Sequence, residues 1–584
     1  MANPMRSADL PLANSWRLPH RLAYVVDHSL PYSSDGYAVR THEVARALIK
    51  NGFEVVVFNR PGRPWDIPGF NPKDEAALDV TVEGVRYIFL PLPGAGMKNQ
   101  DRLRLTERVL CEALEIFRPV AIMAASNWEN AKAAKFASRK LGLPFLYEVR
   151  GFWEMSRAAN DPSYNGSKDY HSHREQEAQM ANAAKAVFTL TEAMRSELVN
   201  RGVAREKIRL VPNGVRSDPP PAPIVRRSTI GCTAKRLLGY IGSLSSYEGV
   251  EELVRLVALM RQQGDDVAAM IVGSAAPAGI TSAHRLDPAT VSLRSLAQDL
   301  HIEEHIHFVP QIAWDRVGAY YVLCDAIIMP RRSTAVTEIV APLKPYAAAP
   351  FGVPVFMTDI SPLDEVAADI RGSLFTEGDL EGLAIQLKQG FENGHPAIMA
   401  PLPPGLYWQD RVQPIAIMLD AISAAEIARQ PVRQVTTSNT QIALPRFDLA
   451  VVPEAALGHE DTLPVAGIGP CLAHRASMKS FFALTRANLF SHLSTAVPGI
   501  FLIDWAGLQS EALIEADEGR EWADLWSIAD MRLNRQIMDA CRIANDRGWQ
   551  IKVIGPVHRS SAPLFRTVAD LFDVIHPSLD EVAS

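Results

Sequence analysis

The chain has 584 residues, 47% hydrophobic and 21% charged, with a net charge of −7. At roughly 150 residues per unit it has room for about four domain-sized units with buried cores, and its composition excludes a disordered, collagen-like or disulfide-scaffold protein. The mildly acidic balance argues against a general nucleic-acid binder.

Residues 1–18 read as a loose tail. The run Arg21–Asp27 has strand length, followed by the turn-rich Pro31–Gly36. A helical pattern with apolar Val44, Ala45, Leu48 and Ile49 closes at Asn51-Gly52, and Glu54–Phe58 is again strand-like. Strand, loop, helix, strand is the βαβ rhythm of a parallel sheet, and fully apolar strands suit a sheet covered on both faces. The rhythm recurs in Val120–Met123, a helix near Asn130–Leu141, and strands at Pro144–Val149 and Lys185–Leu190. A helix over Thr191–Arg201 carries a Thr cap, and Ile208–Gly214 ends this half.

Four prolines within Pro219–Pro223 mark a linker. A second series follows, with strands at Leu237–Ile241, Val267–Val272, Ile306–Val309, Ala326–Met329 and Val353–Phe356. Its helix Tyr247–Gly264 places Val250, Leu253, Val254, Val257 and Met260 on one stripe. A helix is expected over 407–428, and 429–445, rich in Gln, Thr, Ser and Asn, is a second linker. The last block has apolar runs at Gly499–Asp504, Gln550–Ile554 and Leu571–Ile575 and a helix around Leu533–Arg547. It reads as α/β but too short for a complete large sheet. The fold class is therefore α/β, with two doubly wound domains and a smaller C-terminal α/β module. The expected boundaries are 19–217, 225–404, a returning helix at 405–428, and 446–584. Ligands of such sheets sit beyond the carboxyl ends of the strands, so a cleft between the two domains is the default site.

The five cysteines (111, 232, 324, 471 and 541) are scattered and form no CxxC pair. This argues for a reducing compartment and against a thiolate zinc site. No continuous apolar stretch precedes Trp16, and no run of about 18 apolar residues lacks charges, so neither a signal peptide nor a spanning helix is expected. The expected localisation is cytoplasmic, with room for peripheral contact at the inner face of a membrane. His171, His173 and Glu175 do not match a zinc spacing and read as polar residues of a loop–helix junction. Trp522, Leu525 and Trp526 read as core packing, and Gly555–His558 as a turn.

Three segments carry a family resemblance. The first is His28-Ser-Leu-Pro-Tyr-Ser-Ser-Asp-Gly36 through His42. The second is Tyr147-Glu-Val-Arg150-Gly-Phe-Trp-Glu154, continued by Leu190-Thr-Glu-Ala-Met194 and Val211-Pro-Asn-Gly214. The third runs from Gly239-Tyr-Ile-Gly-Ser-Leu-Ser-Ser-Tyr-Glu-Gly249 to Pro330-Arg-Arg332 and Val336-Thr-Glu338 through Leu343-Lys344-Pro345. Together, over about residues 20–428, they resemble the retaining glycosyltransferases of family 4. The resemblance implies the GT-B fold, with two Rossmann-like domains around a cleft, a nucleoside diphosphate sugar as co-substrate on the second, and no bound metal or other cofactor. It further implies a glycan or lipid-linked acceptor on the first domain. The C-terminal block resembles a half Rossmann unit attached to some bacterial glycosyltransferases, expected to serve a homodimer contact, a protein partner or acceptor presentation.

Gly36 and Gly242-Ser243 each follow a strand and open a helix, where the backbone can approach a phosphate closely. Under the resemblance Glu338 contacts the donor sugar, Arg331 and Lys344 face the diphosphate, and Arg150, where members often carry a histidine, orients sugar or acceptor. An ion pair of Arg150 with Glu148 or Glu154 is the plainer alternative. The chain also departs from the family. Tyr346 or Ala347 stands where a ribose-binding glutamate is usual. Ser243 and Glu248 stand where Arg and Lys clamp the diphosphate, and Met123 and Ala125 replace two histidines. A second reading, a binding or scaffold subunit that kept the fold without turnover, follows from these departures. An epimerase on a related frame has no sequence support of its own.

Overall fold

A computed structural model describes residues 17–67, 70, 79–92, 99–220, 224–274, 288–310, 312–393, 402–429, 447–451, 464–468, 481–503, 531–553 and 572–574. The chain divides into two compact units. One comprises His20–Glu107 with Ala121–Ala421. The other comprises Met1–Pro19, Arg108–Val120 and Ile422–Ser584.

The larger unit holds two sheets, each the floor of one lobe. The first lobe has eight strands, β1 (Arg21–Val26), β2 (Glu54–Asn59), β3 (Asp79–Val82), β4 (Val85–Ile88), β5 (Ala121–Ala125), β6 (Phe145–Val149), β7 (Ala186–Thr189) and β8 (Ile208–Leu210). Their order is β3-β4-β2-β1-β5-β6-β7-β8, and only β3 runs antiparallel. The second lobe has six parallel strands, β9 (Arg236–Ile241), β10 (Val267–Val272), β11 (Ile306–Val309), β12 (Ala326–Met329), β13 (Val355–Thr358) and β14 (Ser373–Phe375), in the order β11-β10-β9-β12-β13-β14. The sequence order reverses between β1 and β5 in one sheet and between β9 and β12 in the other. Such a switch point leaves a crevice beyond the carboxyl ends of the two strands, where chain connections diverge to opposite faces.

Apolar runs explain why these segments are central strands. Every residue of β1, β5, β6, β10 and β12 is buried, as strands sandwiched between helix layers must be. Helix starts follow from short polar side chains. The Asp35 carboxylate accepts from Ala38 N to open helix Gly36–Lys50, Asn127 caps Trp128–Leu141, and Thr191 accepts from Met194 N to open Glu192–Asn200. Helix Val250–Gln262 differs, because Gly249 precedes it and supplies no side-chain cap.

Several elements depart from the sequence expectation. Tyr247–Gly264 is a 3₁₀ turn at Ser246–Glu248 followed by helix Val250–Gln262, because Gly249 adopts φ +65° between them. The helix expected over 407–428 is two pieces, Trp408–Arg411 and Gln413–Arg429. The β3–β4 hairpin and helices Trp153–Asn160 and Lys168–Ala183 add to the expected elements; the first helix is only eight residues long and the second is polar with little apolar period.

The smaller unit corrects a second expectation. Its C-terminal part is a six-stranded parallel sheet rather than an incomplete one, with β15 (Phe447–Val451), β16 (Val465–Ile468), β17 (Phe481–Ala483), β18 (Ile500–Ile503), β19 (Gln550–Val553) and β20 (Phe572–Val574) in the order β17-β16-β18-β19-β15-β20. The strands Val-Ala-Gly-Ile and Phe-Phe-Ala are too short to announce themselves by pattern. Trp522, Trp526, Gly555–His558 and residues 430–445 of the expected linker lie outside the described residues. No helix among the described residues is long and apolar enough to cross a membrane.

Candidate functional site

The two switch points face one cleft. Gly242 leaves β9 and Arg331 leaves β12, so both sit at the carboxyl ends of the strand pair where the second sheet reverses. A cavity of about 350 Å³ lies there, lined by Asp35 and Gly36 of the first lobe and by Gly242, Ser243, Glu248, Arg331 and Lys344 of the second. Six of the eight residues singled out from sequence, Gly36, Gly242, Ser243, Glu248, Arg331 and Lys344, thus line one cavity.

Lys344 and Gly242 fit each other. The Lys344 chain passes so close to Gly242 that a Cβ there would lie 1.9 Å from Lys344 Cε. A side chain there would push the lysine aside, and Gly242 itself sits at φ +158°, a backbone conformation that other residues rarely adopt. Lys344 Nζ then donates to Glu248 Oε1 at 2.8 Å, and Arg331 Nη2 stands 3.9 Å from the same oxygen. Arg331 Nη1 donates to the Val340 carbonyl at 2.8 Å, while its buried Nε has no hydrogen-bond partner among the described residues. Burial disfavours the Glu248 carboxylate, but Lys344 and Arg331 hold its pKa below the ordinary value. Burial lowers the Lys344 ammonium, with Glu248 opposing. Two cations against one buried carboxylate leave the cluster one positive charge in surplus.

Gly36 opens its helix at the opposite wall. A Cβ there would meet nothing within 4 Å, so its place is not set by crowding. The helix end it opens is already occupied by the Asp35 carboxylate. Asp35 Oδ2 lies 2.9 Å from His28 Nε2, and His28 Nδ1 lies 3.0 Å from Asp27 Oδ2. Asp27 in turn pairs with Arg60 at 2.9 Å and Arg63 at 3.0 Å. Burial works against a charged His28, yet Asp35 and Asp27 raise its pKa to about 9. His28 and Asp35 both stand in the first motif segment, but the pattern His-x₆-Asp alone carries no signal of this pair.

Arg150 lies away from the cavity wall. Its Nε donates to Glu148 at 2.9 Å, Nη1 donates to the Tyr37 carbonyl at 2.9 Å and Thr41 Oγ1 at 2.8 Å, and Nη2 donates to the Tyr24 hydroxyl. Of the two ion pairs anticipated, the one with Glu148 forms; Glu154 pairs instead with Arg201 at 2.7 Å. Glu148 also takes Arg40 Nε at 3.0 Å, and the two guanidinium groups outweigh burial to hold its pKa at about 2. Glu338 is half-buried on the segment between Arg331 and Lys344, and accepts from Ser333 Oγ at 2.5 Å. Tyr346 is buried and donates to Asp369 at 2.8 Å. His171 and His173 lie on helix Lys168–Ala183, not at a junction, and His173 Nδ1 is 2.8 Å from the Tyr164 hydroxyl.

A second chamber of about 190 Å³ adjoins the first and shares Gly36, Gly242 and Lys344 with it. Its walls include Trp314, Tyr321, Phe351 and Trp408, with Glu43 as a buried carboxylate. Burial pushes the Glu43 pKa up to about 7 against the pull of Arg216 and Arg46.

The chain is similar to known proteins. Residues 35–214 match the family model of the glycosyl transferase 4-like domain, and residues 228–397 match that of the glycosyl transferases group 1. The D-inositol 3-phosphate glycosyltransferase of Acidothermus cellulolyticus is 26% identical over 386 residues, spanning 62% of this chain and 80% of that protein. Sucrose-phosphate synthase from Thermosynechococcus elongatus superposes with a TM-score of 0.51 at 17% identity, covering 70% of this chain and 99% of that one. The catalytic domain of starch synthase IV from Arabidopsis thaliana, bound to ADP and acarbose, gives 0.50 at 13% identity, with 70% and 100% covered. The larger unit therefore has the GT-B fold, two Rossmann-like domains about a cleft, and each lobe matches a glycosyltransferase domain.

Proposed function

We propose that the protein is a metal-independent, retaining glycosyltransferase that moves a sugar from a nucleoside diphosphate sugar to a glycan or lipid-linked acceptor in the cytoplasm. The observation that carries this reading is Lys344 crossing Gly242 beside Arg331 at the second switch point, cations set where a diphosphate must lie in this fold. The two matched glycosyltransferase domains and the ADP-bound starch synthase neighbour support it.

Transfer builds negative charge on the leaving diphosphate and positive charge at the anomeric carbon. A site catalyses this by holding donors where the leaving oxygens gain charge. Lys344, Arg331 and the main-chain amides of Gly242 and Ser243 take that role, and Glu248 holds the two side chains in place between turnovers. Glu338 contacts the donor sugar. Arg150, with its donors engaged by Glu148, Tyr24, Tyr37 and Thr41, acts through that network. The aromatic chamber beside Lys344 takes the nucleoside.

Calorimetric titration with UDP, GDP and ADP, together with release of nucleotide from the matching sugar nucleotides, tests the reading. Binding of one nucleotide with turnover of its sugar is expected. Binding without turnover or hydrolysis would leave a binding subunit, and no binding of any of the three would remove the donor site.

A further inference from the structure

The segment between Glu338 and Lys344 is neither helix nor strand until Lys344 begins its short helix, so its carbonyls need partners from elsewhere. Three in succession find them, and the partners come from both lobes. The Ile339 carbonyl accepts from Thr191 Oγ1 of the first lobe at 2.6 Å. The Val340 carbonyl accepts from Arg331 Nη1 of the second lobe at 2.8 Å. The Ala341 carbonyl accepts from Asn213 Nδ2 of the first lobe at 3.1 Å.

We propose that Thr191 and Asn213 are positioning residues that latch this segment, and Lys344 with it, to the first lobe. The proposal rests on the donor reading above and gives it a coupling between lobe closure and the phosphate clamp.

Both latch residues are fixed before they reach the segment. The Thr191 hydroxyl accepts from Met194 N while donating its one proton to Ile339. Asn213 is oriented by Arg40, whose Nη1 donates to Asn213 Oδ1 at 2.8 Å and thereby turns the amide nitrogen toward Ala341. Arg40 is itself held by the Val211 carbonyl at 2.8 Å and by Glu148, the carboxylate that also binds Arg150. A chain of buried charge thus runs Arg150, Glu148, Arg40, Asn213 and ends on the carbonyl of Ala341, three residues before Lys344. Separation of the lobes breaks the Thr191 and Asn213 bonds together. Among these three carbonyls only that of Val340 then keeps its partner, and Lys344 loses the restraint that lays it across Gly242. A cleft that opens to exchange nucleotide loosens its own clamp as it does so.

The test uses the full-length chain and its variants Thr191→Val, Thr191→Ser, Asn213→Asp, Lys344→Ala and the Thr191→Val/Lys344→Ala double. Asn213→Asp keeps an acceptor for Arg40 and removes the donor to Ala341, so it reports on the latch without touching the helix cap at Thr191. Thr191→Val and Asn213→Asp are each expected to weaken binding of whichever of UDP, GDP or ADP the wild type binds by about three- to tenfold. Thr191→Ser should restore it. Because the latch acts through Lys344, Thr191→Val should cost little more in the Lys344→Ala background, a non-additivity that a general loss of stability does not produce. Deuterium uptake of residues 333–344 without nucleotide should rise in Thr191→Val and Asn213→Asp and stay at the wild-type level in Thr191→Ser. Full additivity with Lys344→Ala, or unchanged uptake in both latch variants, overturns the proposal. A wild type that binds none of the three nucleotides overturns the donor reading instead, and deuterium uptake then decides the latch by itself.

Discussion

Glu248 carries the same sign of charge as a phosphate, yet it is buried against the two cations that would receive one. Taking one partner from a buried ion pair leaves the other charge without compensation and costs about 3–5 kcal/mol. Glu248→Gln is therefore expected to lower thermal stability, and pyrophosphate should raise the melting temperature of the variant more than that of the wild type, since the anion restores the missing charge. An equal shift in both proteins, measured by thermal melting with and without pyrophosphate, would count against this arrangement. His28 behaves differently because its charge is gained in the fold. Its folded pKa of about 9 lies above the ordinary 6.5, so its contribution is full below about pH 6.5 and is lost as the pH rises through about 9. Melting of the wild type against His28→Asn over pH 6 to 10 should show a stability difference that is largest at the acid end and closes by pH 10. The residue types at these places are readable in sequence, and the structure sets Gly242, Arg331 and Lys344 along one cavity. That Glu248 serves as counter-charge was not readable, because the pairing joins positions 96 residues apart and no local pattern encodes it.

At the scale of elements, the two loop glycines have opposite requirements. Gly249 sits at φ +65°, and a Cβ there would lie 1.9 Å from the Pro330 carbonyl oxygen. Gly36 has free space around its Cβ position and opens a helix. Gly249→Ala is expected to destabilise the second lobe by about 2 kcal/mol or more, from the left-handed backbone and the clash together, and to weaken nucleotide binding because Pro330 adjoins Arg331. Gly36→Ala should leave stability unchanged or improve it by up to about 1 kcal/mol. Thermal melting of the two variants side by side checks both signs. Central strands were legible because burial on both faces demands unbroken apolar runs, as in Tyr24-Val-Val26 and Ala326-Ile-Ile-Met329. Helix Lys168–Ala183 was not, since it buries only Glu177, Met180 and Ala181 and so shows little period. Thr191 was legible as a cap. Its second bond, to Ile339, depends on how the lobes meet and has no trace in either segment alone.

For the whole molecule, the division into two units separates the cleft from the C-terminal sheet. All cleft residues lie within His20–Glu107 and Ala121–Ala421. Removal of residues 446–584 is therefore expected to leave nucleotide affinity within about twofold of the full chain while changing oligomeric state or acceptor use. Calorimetry and light scattering on the truncated protein check the two halves of that expectation, and a collapse of nucleotide binding would show that the cleft depends on the module.

The two lobes share an architecture but are not equivalent toward anions. In the first, the positive end of helix Gly36–Lys50 is satisfied by the protein's own Asp35, itself tied to His28. In the second, helix Val250–Gln262 begins after a glycine that makes no side-chain cap, and its carboxylates, Glu251 and Glu252, lie in the first turn itself. A linear guest carrying charge in its middle and neutral rings at its ends would then meet two unlike helix starts, one capped by Asp35 and one entered through Gly249. On the proposed donor reading, this difference between an aspartate cap and a bare glycine would orient such a guest across the cleft.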